Sequence, residues 1–173
     1  MLSGKINLPE VRQTALWAAG NADNLGRLWQ MAQSADRRTA VNALWVMTHL
    51  PESEAGWLAS LQDEMIDRLL AEIDTAKRRL LLHLLREQEY DPENLRTDFL
   101  DFCLSKINSE HESYAIRCFS IYAAFKMCRH YPELLAELSE HLDMMSLQPL
   151  SPGLKSALRQ TKKKISRLYE KKS

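Results

Sequence analysis

Prolines 51, 92 and 132 stand 41 and 40 residues apart, and each separates one helix-periodic, apolar segment from a second that carries more acid on its polar side. An interval of that length holds two helices and their turns. Neither helix of such a unit can bury its apolar stripe alone, so neighbouring units must stack to make a core. The chain is therefore expected to be all-α: an α-α superhelix of about four helix pairs, closed by a C-terminal capping helix.

The glycines agree with helices. The five are at 4, 20, 26, 56 and 153, leaving a stretch of more than ninety residues without one and hence without the tight turns of a sheet protein. Three-and-four apolar spacing predicts helices over 9–19, 22–34, 36–49, 52–74, 76–88, 92–108, 112–130, 132–146 and 152–170. Pro9, Pro51, Pro92, Pro132 and Pro152 suit first helical turns, where a missing N–H costs nothing, and Asp91 and Ser151 occupy N-cap positions. Gly56 marks a bend. The segments 36–49, 76–88 and 112–130 form an A series, each followed by a B partner at 52–74, 92–108 or 132–146. The B helices align through Leu61, Met65 and Leu69, then Leu95, Phe99 and Cys103, then Leu134, Leu138 and Leu142. In the A series Arg38, Arg78 and Arg117 recur, but a one-residue shift fits the apolar positions as well. One domain over 1–173 follows: a capping pair at 1–34, three helix pairs at 35–151 and a basic helix at 152–173.

Through the segments ADRRTAVNALWVMTHLP, AKRRLLLHLLREQ and ESYAIRCFSIYAAFKMCRHYPELL, residues 22–170 resemble HEAT and armadillo-like repeat proteins, above all small uncharacterised bacterial members. The resemblance rests on period and paired helices, so it implies an architecture and a habit of binding proteins and carries over no site residue. It also implies that the B helices line the concave surface.

In the B register Glu64, Asp98 and Glu137 are equivalent, and so are Asp67, Asp101 and Glu140 one turn further on. These six acids form either a solvated polar face or a negatively charged groove for Lys and Arg side chains of a partner. The zero formal net charge hides a division along the chain: residues 1–34 carry +1, 35–91 and 92–152 carry −4 each, and 153–173 carry +7. Lys155, Arg159, Lys162, Lys163, Lys164, Arg167, Lys171 and Lys172 make the last helix basic, while Leu154, Ala157, Leu158, Ile165 and Leu168 give it a stripe for docking on the last repeat. It is read as a cap, or else as a contact for nucleic acid or for an acidic surface.

No motif for catalysis is present. The glycines fit neither a phosphate-binding loop nor a nucleophile elbow, and the five histidines lack metal-ligand spacing. No metal, cofactor or enzymatic activity is expected. DNA alkylation repair glycosylases share a HEAT-like solenoid, but no Trp of this chain is followed within five residues by Asp or Glu. Trp17, Trp29, Trp45 and Trp57 predict an aromatic core in the first third, and Tyr114, Phe119, Tyr122 and Phe125 predict packing between repeats. Cys103, Cys118 and Cys128 read as reduced core thiols, and neither a membrane span nor a secretory leader is seen, which points to the cytoplasm. The expected function is a non-enzymatic scaffold for a basic protein or peptide, with a nucleic-acid-associated solenoid as the alternative.

Overall fold

In the computed structural model, which describes residues 2–172, the chain is all α. The helices are α1 (Leu8–Ala18), α2 (Ala22–Ala32), α3 (Arg37–Met47), α4 (Ala55–Ser60), α5 (Gln62–Ala71), α6 (Thr75–Arg86), α7 (Thr97–Ile107), α8 (Tyr114–Cys128), α9 (Pro132–Ser146) and α10 (Pro152–Lys172). Two 3₁₀ turns, Glu52–Glu54 and Pro92–Asn94, precede α4 and α7, and there is no strand among the described residues. Met1, Ser173 and the side chain of Lys172, counted above with the basic residues, lie outside the described residues. No helix among them is long and apolar enough to cross a membrane.

Side-chain caps set the repeat frame more sharply than the prolines do. Asp36, Asp74, Ser113 and Ser151 each accept the N–H three residues on, opening α3, α6, α8 and α10 at intervals of 38, 39 and 38 residues. An Asp or Ser at this position satisfies one of the four N–H groups that a helix start leaves unpaired. By that frame α10 begins a fourth A-type unit. The frame also settles the A register: Arg78 and Arg117 both lie four residues beyond their caps, whereas Arg38 lies two beyond its own, and Ala40 is the true equivalent. The B-type helices α4, α5, α7 and α9 start without a side-chain cap.

Two of the expected B helices are shorter than the periodicity suggests. The helix read over 52–74 is interrupted at Leu61, not bent at Gly56, which sits inside α4. There the Ser60 hydroxyl donates to the Trp57 carbonyl, and the Leu61 N–H turns to Leu58 at 3.1 Å instead of continuing the i→i−4 ladder. The helix read from 92 starts at Thr97, because the Asp91 carboxylate caps the 3₁₀ turn through the Glu93 N–H at 3.0 Å. Gly20, between α1 and α2, has φ +73, a left-handed conformation that glycine adopts without a Cβ penalty, and its N–H donates to Glu54 Oε1 at 2.7 Å.

Contacts cluster into two compact units that meet in the chain between Gln88 and Glu89. Side chains on either side of that point anchor in their own units. Buried Gln88 donates to the Leu58 carbonyl at 3.0 Å and accepts from Gln62 at 2.8 Å, both in the first unit. Glu89 instead pairs with Arg129 at 2.7 Å and Lys126 at 3.5 Å, and the Tyr90 ring lies 5.9 Å from that of Phe99, all in the second.

In the first unit α3 packs on α1, α2 and α6, and α6 also packs on α5, around Leu28, Leu44, Met47, Met65, Ile66, Leu69, Leu82 and Leu85. In the second, α8 is the central helix, packed on α7, α9 and α10, and more extensively on the α7 that precedes it than on the α9 that follows. Met65, Leu69, Phe99, Cys103, Leu138 and Leu142 are fully buried, as the aligned B stripes predict, while Leu61, Leu95 and Leu134 at the stripe ends are partly exposed. The aromatic expectations fare differently. Only Trp29 among the tryptophans is buried, and Tyr114 is 62% exposed with Phe119, Tyr122 and Phe125 half-buried. On α8 the small and aliphatic residues Ile116, Ser120, Ile121, Ala123, Ala124 and Met127 take the buried positions, which lets neighbouring helices approach closely and leaves the rings at the margins.

Candidate functional site

Each acid of the two ladders sits on the polar side of a B-type helix, held there by the buried residues beside it. Glu64 and Asp67 flank Met65 and Ile66 on α5; Asp98 and Asp101 flank Phe99 and Leu100 on α7; Glu137 and Glu140 flank Leu138 on α9. All six are exposed. The first pair belongs to the first unit and the other four to the second.

Their partners distinguish them. Glu64 Oε2 accepts the indole N–H of buried Trp29 at 2.9 Å, and the Arg68 guanidinium stacks 5.8 Å from the same indole. This carboxylate ties α5 to α2, a structural task that periodicity alone does not signal. Asp98 is bracketed by Arg96 through two bonds, at 3.0 and 2.7 Å, and it also accepts the Phe99 N–H at 2.8 Å. The Arg96 hydrogen bonds hold its carboxyl below the usual aspartate range. A bidentate arginine neutralises most of that charge before a partner arrives. Asp67 also has an interaction partner. Asp101, Glu137 and Glu140 remain as exposed acids on two helices, α7 and α9, that pack directly on each other.

The basic helix divides in the same way. Its stripe is buried as expected at Leu154, Ala157, Leu158 and Ile165, joined by Thr161, and it docks α10 onto α8 and α9. Lys162 pairs with Asp143 at 2.9 Å, and the Lys164 ammonium lies 5.7 Å over the Phe125 ring. Lys155, Arg159, Lys163 and Arg167 are exposed to solvent.

Arg117 is the functional-looking residue that its sequence context conceals. It is 5% exposed, donates Nε to the Ile107 carbonyl at 2.8 Å and donates to Gln148 Oε1 at 3.1 Å. Its charge therefore sits at the C-terminal end of α7, where the helix dipole is negative and carbonyls lack intrahelical partners. The signal in the sequence was an arginine set among the apolar positions Ile116, Ile121 and Ala124 of α8.

Two of the three thiols are poorly suited to chemistry. Burial pushes Cys103 well above its ordinary range and Cys128 to about 12, so neither is a thiolate at neutral pH. No group of three His, Cys, Asp or Glu side chains converges as a metal-ligand set among the described residues.

A family model described as HEAT repeat domain matches residues 1–165. No curated protein and no solved structure matches the chain.

Proposed function

We propose, because this chain belongs to the HEAT repeat family, that it is a helical-repeat scaffold whose polar α7–α9 face binds a protein or peptide of basic character. Stacked helical repeats present long surfaces suited to protein interaction and typically carry no catalysis. The observation that supports this choice of face is the trio Asp101, Glu137 and Glu140, exposed on two packed helices and fixed outward by Phe99, Leu100 and Leu138. Glu64 and Asp98 contribute less than the ladder reading assigns them, since Trp29 and Arg96 already engage them. The proposal includes a cytoplasmic location, supported by cysteines that remain thiols.

The test uses a fluorescein-labelled, lysine-rich peptide, with anisotropy followed across a salt series. Asp101→Asn, Glu137→Gln and Glu140→Gln together should weaken binding roughly tenfold and flatten its salt dependence, since each removed charge takes its screened attraction with it. Glu64→Gln should weaken binding far less. An unchanged affinity for the triple variant returns these carboxylates to the role of a solvated face. For the nucleic-acid alternative, a DNA duplex in the same assay should bind no tighter than ~10⁻⁴ M at physiological salt; sub-micromolar binding would favour that alternative.

A further inference from the structure

A second surface of the C-terminal unit lies where the end of α9, the following loop and the start of α10 form a groove whose lining includes none of the acids assigned above. Leu150 and Leu158 give it an apolar lining, and Lys155, Arg159 and Lys162 give it three cations at helical spacing on one side of α10. Lys162 is held by Asp143 at 2.9 Å, whereas Lys155 and Arg159 have no ion-pair partner among the described residues. Leu147, in the same loop, is 87% exposed and adds an accessible apolar side chain next to the groove.

The loop is pinned from beneath. Gln148, which also lines the groove, accepts from buried Arg117 at 3.1 Å and donates to Asn108 Oδ1 at 3.3 Å, while the Asn108 amide donates to the His141 carbonyl at 2.9 Å. One network therefore joins α7, α8 and α9 to this loop, so the groove exists before any ligand arrives, which lowers the ordering cost of binding.

We propose that this groove docks an acidic amphipathic segment of another protein, whose apolar side chains pack against Leu147, Leu150 and Leu158 while its carboxylates meet Lys155 and Arg159. Charge complementarity selects the sign of the partner, and the apolar lining selects its amphipathic character. A nucleic acid would use the cations but gain nothing from the leucines. An anionic membrane surface requires an apolar helix face free to insert, and α10 has already buried Leu154, Ala157 and Ile165 against its own unit.

The experiment is a titration of the full chain with a synthetic peptide about four helical turns long, leucine on one face and glutamate on the other, followed by amide NMR shifts and anisotropy. Shifts should centre on Leu147, Lys155 and Arg159. Lys155→Glu with Arg159→Glu should weaken binding at least tenfold, and Leu147→Asp should do likewise. Lys163→Glu with Arg167→Glu makes the same change in net charge at exposed positions elsewhere on α10 and should stay within about threefold. All five positions are exposed, and unchanged circular dichroism confirms that the variants fold. The proposal is overturned by the absence of binding at ~1 mM peptide, by equal losses in the two double variants, or by equal binding of a peptide with glutamine in place of glutamate. Leu147-dependent binding to phosphatidylserine vesicles, or self-association of the chain that Leu147→Asp abolishes, would likewise assign the groove to another occupant and overturn it.

Discussion

Phe99→Ala probes the core of the C-terminal unit where its parts meet. The ring is fully buried in α7, one helical turn from Cys103, and its centroid lies 5.9 Å from the Tyr90 ring at 37°. Losing the transfer free energy of a buried phenyl group costs ~2–3 kcal/mol. Because the surrounding helices cannot fully collapse into the space, the residual cavity raises the expected loss to ~3–5 kcal/mol. The aromatic contact with Tyr90 is included in that range at ~0.5–1.5 kcal/mol. Urea unfolding followed by far-UV dichroism is the assay, and with two compact units the transition should be tested for a second phase before any two-state fit. If the C-terminal unit melts by itself, each kcal/mol corresponds to ~4–8 °C. A second readout is chemical. Burial raises the Tyr90 phenol far above its ordinary range, so opening the cavity to water should bring its ultraviolet titration down. A loss below ~1 kcal/mol with Tyr90 still resisting ionisation would refute the assigned B register and the packing argument with it.

Arg117→Lys should cost ~1–3 kcal/mol, because an ammonium cannot reach the Ile107 carbonyl and Gln148 together as the guanidinium fork does; a neutral result in urea unfolding would remove the network from the account of the loop. In the N-terminal unit acid should act in two stages. Burial lowers the His83 pKa, so the unfolded chain binds a proton that the folded chain resists, and stability present above pH ~6.5 declines below it. The Asp74 pKa is lowered by the Lys77 N–H and then by Arg37, so its contribution is present above pH ~4 and is lost as pH falls through its lowered value. His83→Gln should abolish the first stage and leave the second, as melting temperatures against pH would reveal.

Much of the fold is legible in particular residues. The buried stripes Met65–Leu69, Phe99–Cys103 and Leu138–Leu142 follow from spacing alone, since an apolar residue every third or fourth position has only one face on which to be buried. The docking stripe of α10 was legible for the same reason. The interruption at Leu61 was not, because it depends on one hydroxyl, that of Ser60, taking a carbonyl that the helix would otherwise use. Nor was the cap frame, since Asp36, Asp74 and Ser113 look like any polar residue between helices until the N–H they accept is in place.

The candidate site divides along the same line. That Glu64, Asp98, Glu137 and their neighbours point to solvent was determined by sequence, through their places beside buried residues. Which of them keeps an unengaged charge does not follow from spacing: Arg96 folds back locally on Asp98 at the start of α7, and only tertiary structure brings Trp29 to Glu64 from 35 residues away in the chain. Periodicity is a property of one helix and survives in the sequence. A hydrogen bond between helices depends on how two periodic surfaces are set against each other, and that exists only once the chain has packed.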